Sequence, residues 1–369
     1  MKSHTSLAVT VACLATAGIG LSSPAGAQAR PTPTQDITVY VDDAAAPKAA
    51  TADSRAGQGS FQASTVAEAQ RIAEASRARN VTIRLAPGVY PPIDWSYGGR
   101  GGRITVEGAG AASIRTSADG SAASGAADAS APAVTVVRCS RAASEYGVRV
   151  RAGDANATVS GMTIEKCRHG GVYVKGASSV KVRGNVIRYI GSKHVSQGDP
   201  RKEGFGGVHL QGASRATISD NRFFYLENNG RSPAGVHGVY AANNADRTIV
   251  ENNRFGYISG DPVRFRHGSD NARVTSNRFW RTGFAAIVSD WRFGGGSEKC
   301  GKGTVLKNNI AGNRTYTNKK YYPDASRNTV KATMRKWGKG DFEARNIGGC
   351  NPAPITFAGG NKWTGSRPW

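Results

Sequence analysis

From Ser160 onward the apolar residues fall in short alternating runs, each broken by Gly or Asn, and the runs recur. Aligning Ser160-Gly161-Met162-Thr163-Ile164, Arg183-Gly184-Asn185-Val186-Ile187, Asp220-Asn221-Arg222-Phe223, Asn252-Asn253-Arg254-Phe255, Ser276-Asn277-Arg278-Phe279 and Asn308-Asn309-Ile310 gives one column: Met162, Asn185, Asn221, Asn253, Asn277 and Asn309. The steps are 23, 36, 32, 24 and 32 residues, so the short ones are bare coils and the long ones carry an insertion on one side. A β-branched strand precedes each asparagine of the column: Val180–Val182, Ala216–Ile218, Thr248–Val250, Ala272–Val274 and Thr304–Leu306. Such segments are too short, too β-branched and too often broken by Gly or Asn to be helices. Stacked parallel coils account for them, because each coil then buries its Val, Ile, Leu and Phe against the coils above and below. The asparagines are expected to form an amide ladder at a turn, where Asn tolerates the left-handed backbone conformation.

Ahead of the repeat, Ile37 to Asp42 alternates as a strand. A helix is expected over Val66 to Ser76, opened by a Thr65/Glu68 capping box and carrying Val66, Ala69, Ile72 and Ala73 on one face. Val81 to Tyr90 reads as a strand running into the Pro87-Gly88 turn. At the very start, Met1-Lys2, the apolar run Leu7 to Leu21 and the small residues Ala25 to Ala29 have the form of a secretory signal. The expected organisation is a signal peptide over 1–29, a solenoid with its N-terminal cap over 30–313, and a closing cap and tail over 314–369 packed on the solenoid.

The stretch from Ile37 to Ile310 resembles the pectate-lyase-like right-handed parallel β-helix superfamily. Its Leu85-Ala86-Pro87-Gly88-Val89-Tyr90 entrance is similar to the N-terminal cap of that superfamily, and its Asn-Arg-Phe repeats are similar to the coils. The resemblance implies an all-β solenoid. It does not fix the reaction, since the superfamily includes lyases, hydrolases, C5-epimerases, esterases and phage adhesins.

A second strand recurs in each coil: Gly171 to Lys175, Gly207 to Gln211, Gly238 to Ala242, Pro262 to Arg266 and Ala286 to Asp290. Period-two alternation sends Val172, Val208, Val239, Val263 and Ile287 inward and leaves two outward columns. One is Tyr173, His209, Tyr240, Arg264 and Val288; the other is Lys175, Gln211, Ala242, Arg266 and Asp290. His237 and His267 flank the same strands. Insertions over 191–206, 227–235 and 291–303 are placed to wall this face and bring Lys193, His194, Arg201, Lys202, Arg231 and Arg292 to it.

The chain carries a net charge of +23, which falls to +22 when the leader takes Lys2 and no acid with it. That balance suits a polyanionic partner outside the cell. No nucleic-acid module is recognisable, and no later stretch approaches the roughly 18 apolar residues of a membrane span. Cys13 leaves with the leader; Cys139, Cys167, Cys300 and Cys350 remain, and the sequence-local pairing Cys139–Cys167 with Cys300–Cys350 is expected.

Glycoside hydrolysis needs two facing carboxyl groups, and the outward columns offer only Asp290. β-Elimination of a uronate needs a cation beside the carboxylate, a base for the C5 proton and an acid for the departing oxygen. Arg264, His209 and Tyr240 fit these three tasks, with Tyr173, Lys175, Gln211, His237, Arg266, His267, Lys193 and Arg231 expected around the substrate. The sequence therefore favours a secreted, monomeric lyase of an acidic polysaccharide. A mannuronan-type C5-epimerase, a hydrolase and a non-catalytic polyanion-binding adhesin stay open. Gly260-Asp261-Pro262 resembles the Asp-Pro motif of alginate epimerases, with Val263 where that motif has His. No cofactor is required; calcium stays open, although no cluster of acids marks a site for it.

Overall fold

The computed structural model describes residues 36–42, 59–76, 78–95, 102–111, 134–139, 145–153, 156–195, 203–229, 235–283, 288–291, 298–312, 355–364 and 366–369. Among these, the strands form three parallel sheets of eleven, nine and seven strands. From Asn80 to Gly312 the chain visits them in the same order on each turn: for example Lys181–Arg183, then Val186–Ile190, then Gly206–Gln211, before returning to the first sheet at Thr217–Ser219. The result is a parallel β-helix. The leader expected over 1–29 lies outside the described residues.

The asparagine column becomes a continuous ladder. Asn185, Asn221, Asn253 and Asn277 each donate a backbone N–H and a side-chain Nδ2–H to the Oδ1 of the next member, at 2.9–3.2 Å. Every Nδ2 also donates to a carbonyl of the preceding coil, as from Asn253 to Ile218 at 2.8 Å. The left-handed conformation falls not on these asparagines but one residue earlier: Gly184, Asp220, Asn252, Ser276 and Asn308 all have φ between 56° and 63°. The ladder also runs one step further than the repeat suggested. Asn309 donates to Asn361, and strands Ile355–Phe357 and Lys362–Thr364 extend the eleven- and nine-stranded sheets, so the solenoid takes in part of the segment read as a tail.

Inside, the phenylalanines of the Asn-Arg-Phe repeats stack coil on coil, Phe223 on Phe255 at 4.8 Å and Phe255 on Phe279 at 5.0 Å. All three are buried, and such a side chain contributes about 2–3 kcal/mol by leaving water. Room for them depends on the glycines that open the seven-stranded sheet: a Cβ on Gly207 would sit 2.6 Å from the Phe223 ring, and one on Gly238 2.5 Å from the Phe255 ring.

The cap helix spans Val66–Ser76 as expected. Thr65 Oγ1 accepts from the Glu68 N–H, while Glu68 reaches back to the N–H of Ser64 instead of Thr65. The run Val81 to Tyr90 is not one strand. Asn80–Leu85 belongs to the eleven-stranded sheet and Gly88–Tyr90 to the nine-stranded one, with the corner at Ala86-Pro87. Cys139 and Cys167 form a disulfide between adjacent coils, as expected. Cys300 is disulfide-bonded as well; its expected partner Cys350 lies outside the described residues.

Candidate functional site

The outer face of the seven-stranded sheet carries the chemistry. Parallel pairing places Asp94, Arg149, Tyr173, His209, Tyr240, Arg264 and Ser289 in one register column. Lys175, Gln211, Ala242, Arg266 and Trp291 form the second. The last coil is therefore shifted by one residue from the sequence reading. Val288 pairs with Val263 and is buried, and Asp290 pairs with Phe265, outside both outer columns. The cause is the unbroken apolar run Ala285-Ala286-Ile287-Val288, which offers no alternation to set the register.

His209 and Tyr240 do not stand in open solvent as expected; they are 9% and 7% exposed. They lie within an aromatic layer built on the sheet. Tyr146 stacks on Tyr173 at 4.7 Å and on His169 at 4.8 Å, and His169 stacks on Phe205 at 4.4 Å. His209 sits 5.0 Å from both Tyr173 and Tyr240. Its Nδ1 shares a hydrogen bond of 2.8 Å with the Tyr146 hydroxyl. Burial, with a smaller effect from His169, depresses the His209 pKa to about 3, so the ring is neutral at ordinary pH. Burial and the nearby Tyr173 raise Tyr146 above the usual phenol range, which keeps its proton in place. Phe205 remains 39% exposed above this layer, an apolar surface facing solvent.

The arginines are held by acids. Arg264 is ion-paired with the buried Asp261, and Arg266 with Glu298. The Arg266 Nη1 also donates to the Tyr240 hydroxyl at 3.1 Å. Burial works against the charge on Arg266, but the bonds to Glu298 and Tyr240 outweigh it and lift its pKa above the ordinary guanidinium value. Tyr173 donates to Gln211, and Lys175 is exposed beside it. At the N-terminal end, Asp94 binds Arg151 and Arg149; chiefly the Arg151 hydrogen bond lowers its pKa.

Three expected members of the site are placed otherwise. His237 is 2% exposed, with Nδ1 3.1 Å from the Asp261 carbonyl, and burial followed by the Arg264 charge lowers its pKa well below the ordinary imidazole value. It supports the ring of Tyr240 from below and is not open to substrate. His267 turns the corner after the sheet, at φ 54°, in line with Gly176, Gly212 and Asn243. Lys193 is ion-paired with the buried Glu227, which also lies 2.8 Å from His194. Arg231, Arg201, Lys202 and Arg292 lie outside the described residues.

Sequence reasoning missed Tyr146 and Arg149. The signal was there: Gly147-Val148-Arg149-Val150 repeats the Gly-Val-x-Val pattern of Gly171-Val172-Tyr173-Val174 one coil earlier. His169 and Phe205 were missed as well, although each stands directly before the Gly-Gly-Val that opens its strand. Among the described residues, no group of three His, Cys, Asp or Glu is placed to hold a metal ion. Asp94, Asp261 and Glu298 are each engaged by arginine. No helix among the described residues is long and apolar enough to cross a membrane.

A family model described as a right handed beta helix region matches residues 101–230. Among solved structures, the chain is similar to an alginate lyase from Paenibacillus, at 17% identity over 68% of this chain and 75% of that one, with a TM-score of 0.46. It is similar to the pectate lyase Pel9A at 12% identity over 76% of this chain and 64% of that one, with a TM-score of 0.44. A third similarity is to the catalytic domain of a GH87 α-1,3-glucanase, at 13% identity over 77% of this chain and 40% of that one, with a TM-score of 0.45. No curated protein sequence matches. The family match and the three parallel sheets bear out the right-handed parallel β-helix expected from the repeat.

Proposed function

We propose that this right-handed parallel β-helix is a secreted enzyme that binds an acidic polysaccharide across the outer face of its seven-stranded sheet and cleaves it by β-elimination. The observation that carries the reading is the hydrogen bond between Tyr146 and a neutral, buried His209, set beside Tyr240. When the His209 Nδ1–H donates to the Tyr146 oxygen, Nε2 keeps its lone pair and can accept a proton. An entering uronate carboxylate raises the proton affinity of that imidazole, because an opposite charge favours the protonated form. The ring then takes the C5 proton, the electron pair becomes the C4–C5 double bond, and the C4–O bond breaks. Tyr240 accepts from Arg266, which leaves its own O–H to protonate the departing oxygen. Arg264 and Arg266, with charges already balanced by Asp261 and Glu298, serve as hydrogen-bond donors to the substrate carboxylate, since a guanidinium carries five N–H groups, and Phe205 offers a face for a sugar ring to stack on.

The test is to incubate the pure protein with polygalacturonate and alginate and follow the absorbance of unsaturated uronate. Tyr240→Phe and His209→Gln should each lower the rate by roughly 100-fold, the usual scale for a general acid or base. New reducing ends without the absorbance would mean hydrolysis, altered sugar configuration without it epimerisation, and either result overturns the lyase reading.

A further inference from the structure

The Asn-Arg-Phe repeat places its asparagine in the ladder and its phenylalanine in the core, and its arginine in neither. Arg222, Arg254 and Arg278 fall in register on three successive coils, on the outer face of the nine-stranded sheet. This is a different sheet from the one bearing His209. Neighbouring strands lie about 4.8 Å apart, so three arginine positions stand in a line along the solenoid axis. Like charges directly opposite one another destabilise a sheet. Among the described residues, none of the three makes an ion pair with a carboxylate. Arg278 donates to the Pro368 carbonyl, a neutral group. Burial, then repulsion from Arg222, Arg278 and Arg367, lowers the Arg254 pKa.

The same sheet shows how the fold arranges charge for stability. Two residues further along the strands, Arg138, Glu165 and Arg188 also fall in register, and there the signs alternate. Glu165 is buried between the two arginines, with contacts of 2.7 and 2.8 Å. The line Arg222–Arg254–Arg278 has no such acid.

We infer that this arginine line is a second, non-catalytic binding site for a linear acidic polysaccharide lying along the solenoid axis. A polyanion supplies, from outside, the alternating charge that the sheet itself lacks. The inference takes its polymer class from the proposed function but does not require turnover. The test compares wild type with the triple variant Arg222→Ser/Arg254→Ser/Arg278→Ser, both carrying His209→Gln to prevent cleavage. Polygalacturonate oligomers are titrated calorimetrically at low and high salt. Three exposed ion pairs at the usual surface scale compound to roughly a tenfold loss of affinity, with a shallower salt dependence. The melting temperature should hold or rise, because repulsion is removed, and the corresponding triple lysine variant should keep most of the affinity.

Unchanged affinity in the serine variant would overturn the inference, as would a fall in its melting temperature, which would make the arginines structural. Tighter binding of single-stranded DNA than of the uronate polymer would also overturn it. If wild type yields no unsaturated product yet the serine variant loses affinity, the lyase reading fails and this site stands.

Discussion

Lowering the pH from 7 to 5 is expected to cost the protein at least about 2 kcal/mol of folding stability through histidine alone. His209 titrates near the ordinary value of 6.5 in the unfolded chain and at about 3 in the folded one. Between those values the unfolded chain binds a proton that the folded chain refuses, so stability is fully present above pH 6.5 and is lost as the pH falls toward 3. Across the interval from 7 to 5 the linkage integral for one such group is about 2 kcal/mol, and burial of the ring argues against screening. His237 is shifted in the same direction and adds to the loss. Asp94 and Glu165, whose pKa values are lowered, stay ionised over this interval and do not contribute. The assay is urea denaturation at both pH values for wild type and for His209→Gln, which keeps a hydrogen-bonding partner for Tyr146. The variant should lose about 2 kcal/mol less than wild type on acidification. Equal losses would mean that His209 is protonated in the folded state, and the argument for a neutral base beside Tyr146 would go with it.

Asn253→Ala removes the acceptor of the Asn221 N–H and Nδ2–H and the donor to Ile218, and should cost about 3–5 kcal/mol in denaturation, with faster hydrogen exchange at Asn221. Arg264→Ala takes the ion-pair partner from the buried Asp261 and should lower stability by about 3 kcal/mol, whereas the more exposed Arg266→Ala should act on turnover with little effect on melting. Reduction of Cys139–Cys167, which closes a 28-residue separation, should cost about 3–4 kcal/mol, and thiol titration of the unreduced, denatured chain lacking the leader with Cys13 should find no free thiol.

The solenoid was legible because its signals repeat: the asparagine column, the β-branched strands and the Gly-Val openings all report one geometry. Asn361 escaped because 52 residues separate it from Asn309, more than any step of the visible repeat. The core of the site was legible wherever alternation held, which is how Tyr173, His209, Tyr240 and Arg264 were found in one column. What surrounds them was not. Tyr146 belongs to the column's first coils but opens its strand three residues before Arg149, off the register of the column. Asp261 and Glu298 come from corners and insertions, whose positions follow no period, so the compensation of Arg264 and Arg266 was invisible. An exposed basic stripe was expected on this face. Pairing with acids moved the uncompensated charge to the arginines of the repeat itself, which had been read only as part of a spacing pattern.

The asparagine ladder has a direction. Each side-chain oxygen accepts from the coil before it, so an asparagine's backbone N–H and one of its two amide hydrogens are satisfied only once the next coil has arrived, 24 to 36 residues later along the chain for the members from Asn185 to Asn309. A chain that emerges from its N-terminus therefore closes one turn at a time, always leaving a single incomplete rung at the growing end. The structure can be assembled in the order in which it is made, without waiting for the last residue.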